Sequence, residues 1–243
     1  MLRMYRSEWM KIRRSFVWLL LLASPLVAAL LGLLSVNREG EFPWLIALSM
    51  MAELHAMLFL PLMTGVYAAL VCRYEHIGGG WKQLLALPVT RTQVYFVKFT
   101  LIMGMVAVTQ LLFLGVLLLA GAALGFSGPP PWQTLLASVA GGWIAALPLA
   151  ALQLAVSTAW PSFAAPLAVN VVMTLPNVLI VYSKDYGPYY PWAQPLLAML
   201  PRGMGPNEFG AFGISAVTLF VIILGSFAVF FAGGWLYFTR KAV

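Results

Sequence analysis

The chain has 243 residues, of which 62% are hydrophobic and 9% charged, and a mean hydropathy of +0.92, so lipid must be the solvent for most side chains. Little is left for a soluble domain. The net charge of +7 comes from cations that flank apolar runs instead of forming one patch, which argues against a nucleic-acid partner and suits anionic lipid headgroups.

Ahead of the first apolar run, Tyr5, Trp9, Ile12 and Phe16 recur at helical spacing, and Arg6, Lys11, Arg13 and Arg14 supply a basic flank. Residues 1–14 read as an amphipathic helix on the inner headgroup layer; the plainer alternative is a flank that only sets topology. A bilayer core about 30 Å thick takes roughly 20 apolar residues per helix. Six such runs follow, at 15–36, 44–72, 94–124, 132–158, 162–182 and 209–238. They are apolar all round, unlike the alternating strands of a membrane barrel. The expected class is therefore all-α: a polytopic membrane protein with six transmembrane helices in a single domain, 1–243. The first run has a basic lead but no clean small-residue cleavage site, and reads as a retained span.

Within the second run, Glu53 and His55 are ionisable residues at a depth where such groups are costly, which makes them candidates for a polar substrate path. Two residues apart on a helix, they do not face each other. A structural role, with Glu53 hydrogen-bonded to a neighbouring helix, is the competing reading. Cys72, the single cysteine, has no disulfide partner and reads as a small apolar filler.

Residues 73–98 are the one sizeable polar interruption. Gly78, Gly79 and Gly80 let the backbone turn, residues 81–87 make about two helical turns before Pro88, and Thr90 with Gln93 has the spacing of a capping box that starts the third span. Trp81, Leu84, Leu85 and Pro88 share one helical face, as expected of a short helix that docks on something outside the membrane. The third run carries Gly121 and Gly125, a GxxxG pair that either permits close helix approach or arises by chance in a Gly-rich chain.

Gly128, Pro129, Pro130 and Pro131 form a short uncharged loop, and 159–161 joins the fourth and fifth runs as a hairpin. Pro25, Pro61, Pro148, Pro166 and Pro176 interrupt the spans, as membrane helices tolerate. Between 183 and 208, Tyr186, Tyr189, Tyr190 and Trp192 cluster among prolines; an aromatic belt explains them, and outer substrate contacts are the alternative. The apolar piece 192–200 is too short to cross and belongs at or in the outer interface.

Lys and Arg are retained on the cytoplasmic side. Arg3, Arg6, Lys11, Arg13, Arg14, Arg73, Lys82, Arg91, Lys98, Arg240 and Lys241 fall on one side, and only Arg38, Lys184 and Arg202 on the other. Both termini are thus expected in the cytoplasm. The chain has no phosphate-binding loop succession, no HExxH and a single Asp, Asp185, so neither ATP binding by that route, metal hydrolysis nor aspartyl intramembrane proteolysis is expected. No catalytic or metal-binding residue is assigned.

In the central loop, Glu75 is followed by Gly80, Trp81, Lys82, Leu84, Leu85, Leu87, Pro88, Val89, Arg91, Tyr95 and Lys98, and the chain begins with Ser7, Glu8, Trp9, Lys11 and Arg13. In this order the residues resemble the ABC-2 type permeases, and within them the membrane subunits of lantibiotic-immunity and bacitracin-resistance exporters. The resemblance implies a bacterial plasma-membrane exporter with two membrane subunits, identical or different, and two cytoplasmic ATPases that bind ATP and Mg. The 73–93 loop would hold the coupling helix. Trp81, Leu84 and Leu85, with Pro88 and Arg91 alongside, would meet the ATPase, and Glu75 and Lys82 would fix the rim of that contact. It also implies short outer re-entrant helices before the last span and a peptide antibiotic or other amphipathic cargo. Rival classes are an ion- or proton-coupled secondary transporter centred on Glu53 and His55, and a membrane enzyme, for which no nucleophile and base set is present.

Overall fold

The computed structural model describes residues 2–13, 17–32, 42–77, 79–202 and 210–241. Arg14, Gly78, the stretch with Arg38, Glu39 and Glu41, and Glu208 lie outside the described residues, and so do the ends of the first run and the start of the last. Every regular element among the described residues is helical: α1 (Leu2–Arg13), α2 (Val17–Gly32), α3 (Pro43–Leu54), α4 (Leu60–His76), α5 (Gly80–Leu85), α6 (Arg91–Leu124), α7 (Trp132–Ala145), α8 (Leu147–Ala159), α9 (Ala164–Thr174), α10 (Asn177–Ile180), α11 (Gln194–Met199) and α12 (Ala216–Arg240).

Among the described residues four helical rods are long and apolar enough to cross a bilayer: Pro43–His76, Arg91–Leu124, Trp132–Ala159 and Ala216–Arg240; a fifth is added if the bent pair α1 and α2 is counted as one span. The run expected at 162–182 falls short. It forms Ala164–Ile180, about 25 Å long at 1.5 Å per residue, with a break at Leu175 and Pro176 where the proline lacks the N–H a helix needs. The rods at 43–76 and 91–124 have 34 residues each, about 51 Å, so they outreach the hydrocarbon and carry their polar ends beyond it.

α12 lies along α8, α4 packs on α8, α6 and α9, α2 on α6, and α7 on α11 and α6. Gly234 on α12 has no side chain where Ala155 and the Tyr95 hydroxyl approach. The expected glycine pair does not form a helix crossing among the described residues. Gly121 makes room for the Trp44 ring, whose indole donates to the Gly128 carbonyl at 3.2 Å, and Gly125 ends α6 at φ +70.

The second rod is broken by a π-helical turn, His55–Phe59, between α3 and α4. Pro61 follows and withholds the N–H that would take the Met57 carbonyl. Asn177 Nδ2 donates there at 2.8 Å, and Asn170 Nδ2 donates to the carbonyls of Pro61 at 3.0 Å and Leu62 at 3.2 Å. Gly65, where any side chain would run into Asn170, lets α9 come this close. The Asn side chains thus sew the short helices α9 and α10 onto the place where the long rod gives up its own bonds.

Candidate functional site

The polar end of the bundle gathers the last turn of α4, all of α5, the first turns of α6, the inner face of α1 and the C-terminus of α12. Gly79 at φ +76 turns the chain out of α4. Gly80 then brings α5 flat against it, since an added Cβ would lie 2.7 Å from the Tyr74 carbonyl and 2.8 Å from Glu75 Cα. α5 ends at Leu85, two residues earlier than the sequence suggests. The capping box is present: the Gln93 N–H donates to Thr90 Oγ1 and the Thr90 N–H to Gln93 Oε1, both at 3.2 Å, so α6 begins right after the loop.

Two acids and two bases form a closed alternating ring beneath α5. Lys11 Nζ contacts Glu8 Oε1 at 2.5 Å and Glu75 Oε1 at 2.6 Å. Lys98 Nζ contacts Glu8 Oε2 at 3.1 Å and Glu75 Oε2 at 3.0 Å, the latter through charge rather than a hydrogen bond of good angle. The Lys98 side chain is only 1% exposed and also donates to the Val71 carbonyl at 2.6 Å. Ions this deeply buried are tolerated only when paired and hydrogen-bonded on all sides. The ring closes from three helices: α1 gives Glu8 and Lys11, α4 gives Glu75, and α6 gives Lys98.

Trp81 covers this ring. Its indole lies over Lys98 Nζ at 5.5 Å, packs on Phe238 of α12 at 5.2 Å and donates to His76 Nδ1 at 3.2 Å. His76 Nε2 in turn donates to the Ser157 carbonyl at 2.7 Å. Arg91 Nη1 donates to the carbonyls of Phe238, Thr239 and Lys241, capping the end of α12. Lys241 Nζ donates to the Thr158 and Ala159 carbonyls, so the ends of α8, α12 and α6 are bound together.

These positions correct the expected roles within the loop. Trp81, Leu84 and Leu85 do share a face, but it is turned onto the protein's own core, because Gly80 brings α5 into contact with α4. Glu75 is inside the ring and so forms no rim, and the Arg91 guanidinium, at the start of α6, is turned onto the carbonyls at the end of α12. The side chains left outside are Lys82, Gln83, Ala86, Leu87 and Pro88. On α1, Glu8 and Ile12 are buried and Tyr5 is half-buried, its hydroxyl 2.6 Å from Thr100 Oγ1, whereas Arg6 and Trp9 face outward. The inward stripe is thus centred on a carboxylate, which the reading of Tyr5, Trp9 and Ile12 as one apolar stripe did not anticipate. Arg13 ends α1.

Elsewhere the structure separates residues that the sequence grouped. His55 is fully buried, stacked on Phe113 at 4.6 Å, with Ser24 Oγ 2.6 Å from Nδ1 and Gln110 Oε1 3.3 Å from Nε2. Glu53 faces the opposite way, exposed on the side of the bundle, and accepts from the Tyr182 hydroxyl at 3.2 Å. Of the aromatic cluster, Tyr186 and Tyr189 are exposed, Tyr190 donates to the Met173 carbonyl at 2.5 Å, and Trp192 is buried with its indole donating to Asn170 Oδ1 at 2.9 Å. A cavity of about 470 Å³ opens beside α11 between Gln133, Thr134, Ser138, Leu200, Arg202 and Phe220.

Glu8 and Lys98 are the site residues that sequence reasoning missed. The signal was present: Glu8 and Glu75 are the only two acids among eleven cations assigned to the basic end, and a lone acid in such company has a partner more often than not. Among the described residues no three His, Cys, Asp or Glu come together as a metal site.

The chain matches the family described as ABC-2 family transporter protein over residues 5–177, more than two thirds of its length. The match takes in most of α1, the charged ring, α5 and α9, and ends at the first residue of α10. A comparison with curated proteins returned no match. An all-helical, multi-pass membrane chain with this match belongs to the ABC-2 family of ABC transporter permeases, transport subunits that work with ATP-binding partners.

Proposed function

We propose that this chain is the membrane-spanning permease of an ATP-driven exporter in a bacterial plasma membrane, and that α5 is where it receives force. The observation that carries this reading is a single short helix with the turn that follows it, held between two long spans at the basic end, whose outer side offers Lys82, Gln83, Leu87 and Pro88 to a partner. Two cytoplasmic ATPases hydrolyse ATP with Mg, and a second permease, identical or different, completes the path. Both termini lie in the cytoplasm. In this reading α2 supplies the first span, with α1 on the inner membrane surface, and α9 and α10 supply the fifth, giving six, with α11 in the outer interface. The cargo is an amphipathic compound, a peptide antibiotic of the lantibiotic or bacitracin kind. The cavity beside α11 supports this, since it combines a guanidinium from Arg202 with apolar walls.

Co-purification with a candidate ATPase from the genomic neighbourhood tests the docking role. Leu87→Asp combined with Lys82→Glu is expected to abolish the complex and the ATP turnover that depends on it, with the fold retained because both side chains are exposed. Association that persists unchanged removes α5 from the interface. The secondary-transporter alternative has less support, because Glu53 and His55 point to opposite sides of one rod; transport that stops on Glu53→Gln but continues without ATP would restore it.

A further inference from the structure

We infer that the ring of Glu8, Lys11, Glu75 and Lys98 is a latch that ties α1 to α4 and α6 at the place where α5 bears on them, so that displacing α5 releases or moves the helix on the membrane surface. Lys98 and Glu75 are its positioning residues. The inference deepens the reading of α5 as the force-receiving element and rests on it for its purpose, though not for its test.

Three features support a link and not a simple anchor. Trp81, the inward side chain of α5, lies over Lys98, and Lys98 is the ion that reaches Glu8 on α1 from the depth of α6. Glu75 is a member of the ring and also the residue against which Gly80 packs, so α5 bears on the ring from two directions. Each ion has two partners of opposite sign, and the four charges sum to zero; moving one ion leaves two others undercompensated in a place sheltered from water, where the loss is felt most. A closed ring of this kind has two states, made or broken, which is the property a mechanical coupling needs.

The test disturbs α5 and reads α1 in the purified full chain in lipid nanodiscs, with no ATPase present. Met4, on the half-buried side of α1 and packed against the core, is replaced by a reporter, Met4→Cys; the native Cys72 is buried. Gly80→Ala pushes α5 off α4 without altering any ring residue, and Trp81→Ala removes the cover over Lys98. Each is expected to raise maleimide labelling of the reporter about fivefold, the factor that about 1 kcal/mol of lost local stability gives. Lys98→Met is expected to do at least as much, and Lys98→Arg to keep the original rate. Helical content by circular dichroism accompanies each variant, and Trp81→Phe provides a milder change should Trp81→Ala not fold. Labelling unchanged by Gly80→Ala and by both Trp81 variants overturns the latch, even if Lys98→Met raises it, because the ring would then only pin α1 in place. Loss of ATPase docking in the Leu87→Asp experiment is independent of this result, so the two readings can fail separately.

Discussion

Lys98 meets two carboxylates, a carbonyl and an indole with almost none of its side chain exposed. Removing it leaves Glu8 and Glu75 to share Lys11, and breaking a buried pair in this way costs about 3–5 kcal/mol. Lys98→Met is accordingly expected to lower the thermal midpoint of the detergent-solubilised chain by something on the order of 10 °C, and an unchanged midpoint would remove the ring from the stability account. Leu87→Asp, outside the core, serves as the control and leaves the midpoint where it was. Of this site the sequence displayed the parts but not the pairing. Residue types and loop spacing picked out Glu75, Trp81 and Arg91, but pairing depends on which way each side chain turns. Gly80 takes part in that choice: the run of glycines signals a turn, but not that α5 folds back within contact of Glu75.

Among the elements, those whose signals are local were readable. The long helix from Arg91 starts where Thr90 and Gln93 cap it, and the rod from Trp132 runs to Ala159 through a break at Ala146. The 162–182 run forms a shorter, broken rod than its hydropathy suggests, because hydropathy does not register how Pro176 divides it, and because Asn170 and Asn177 look like minor polar blemishes until Met57, Pro61 and Leu62 are seen to offer them carbonyls. Gly65→Val places a branched side chain against Asn170 and is expected to raise hydrogen exchange across 164–180 while leaving 216–240 protected. Equal exchange in the two segments would show that α9 is not held through this contact. Asn170→Leu removes the same bonds without the bulk, and its expected cost is smaller, about 1–2 kcal/mol.

For the molecule as a whole, the asymmetry of charge was the most legible property, and it is a composition argument that needs no packing. The structure adds that α1, α4, α5, α6, α8 and α12 are bound to one another at the basic end. Orientation is tested on intact cells with a membrane-impermeant thiol reagent. Tyr186→Cys is expected to react from outside, and Lys82→Cys only after the cells are opened; the reverse pattern inverts the topology. Both positions are exposed, so accessibility alone decides the outcome.

The ring joins residue 8 to residue 98, and this sets an order on how the chain is built. A nascent chain that has delivered only its first two hydrophobic stretches to the membrane holds Glu8, Lys11 and Glu75, two negative charges with one positive between them, and its leading helix has no settled berth. Only when the ribosome has supplied Lys98 does the count balance, so the first helix made waits for the third hydrophobic stretch before it is fastened.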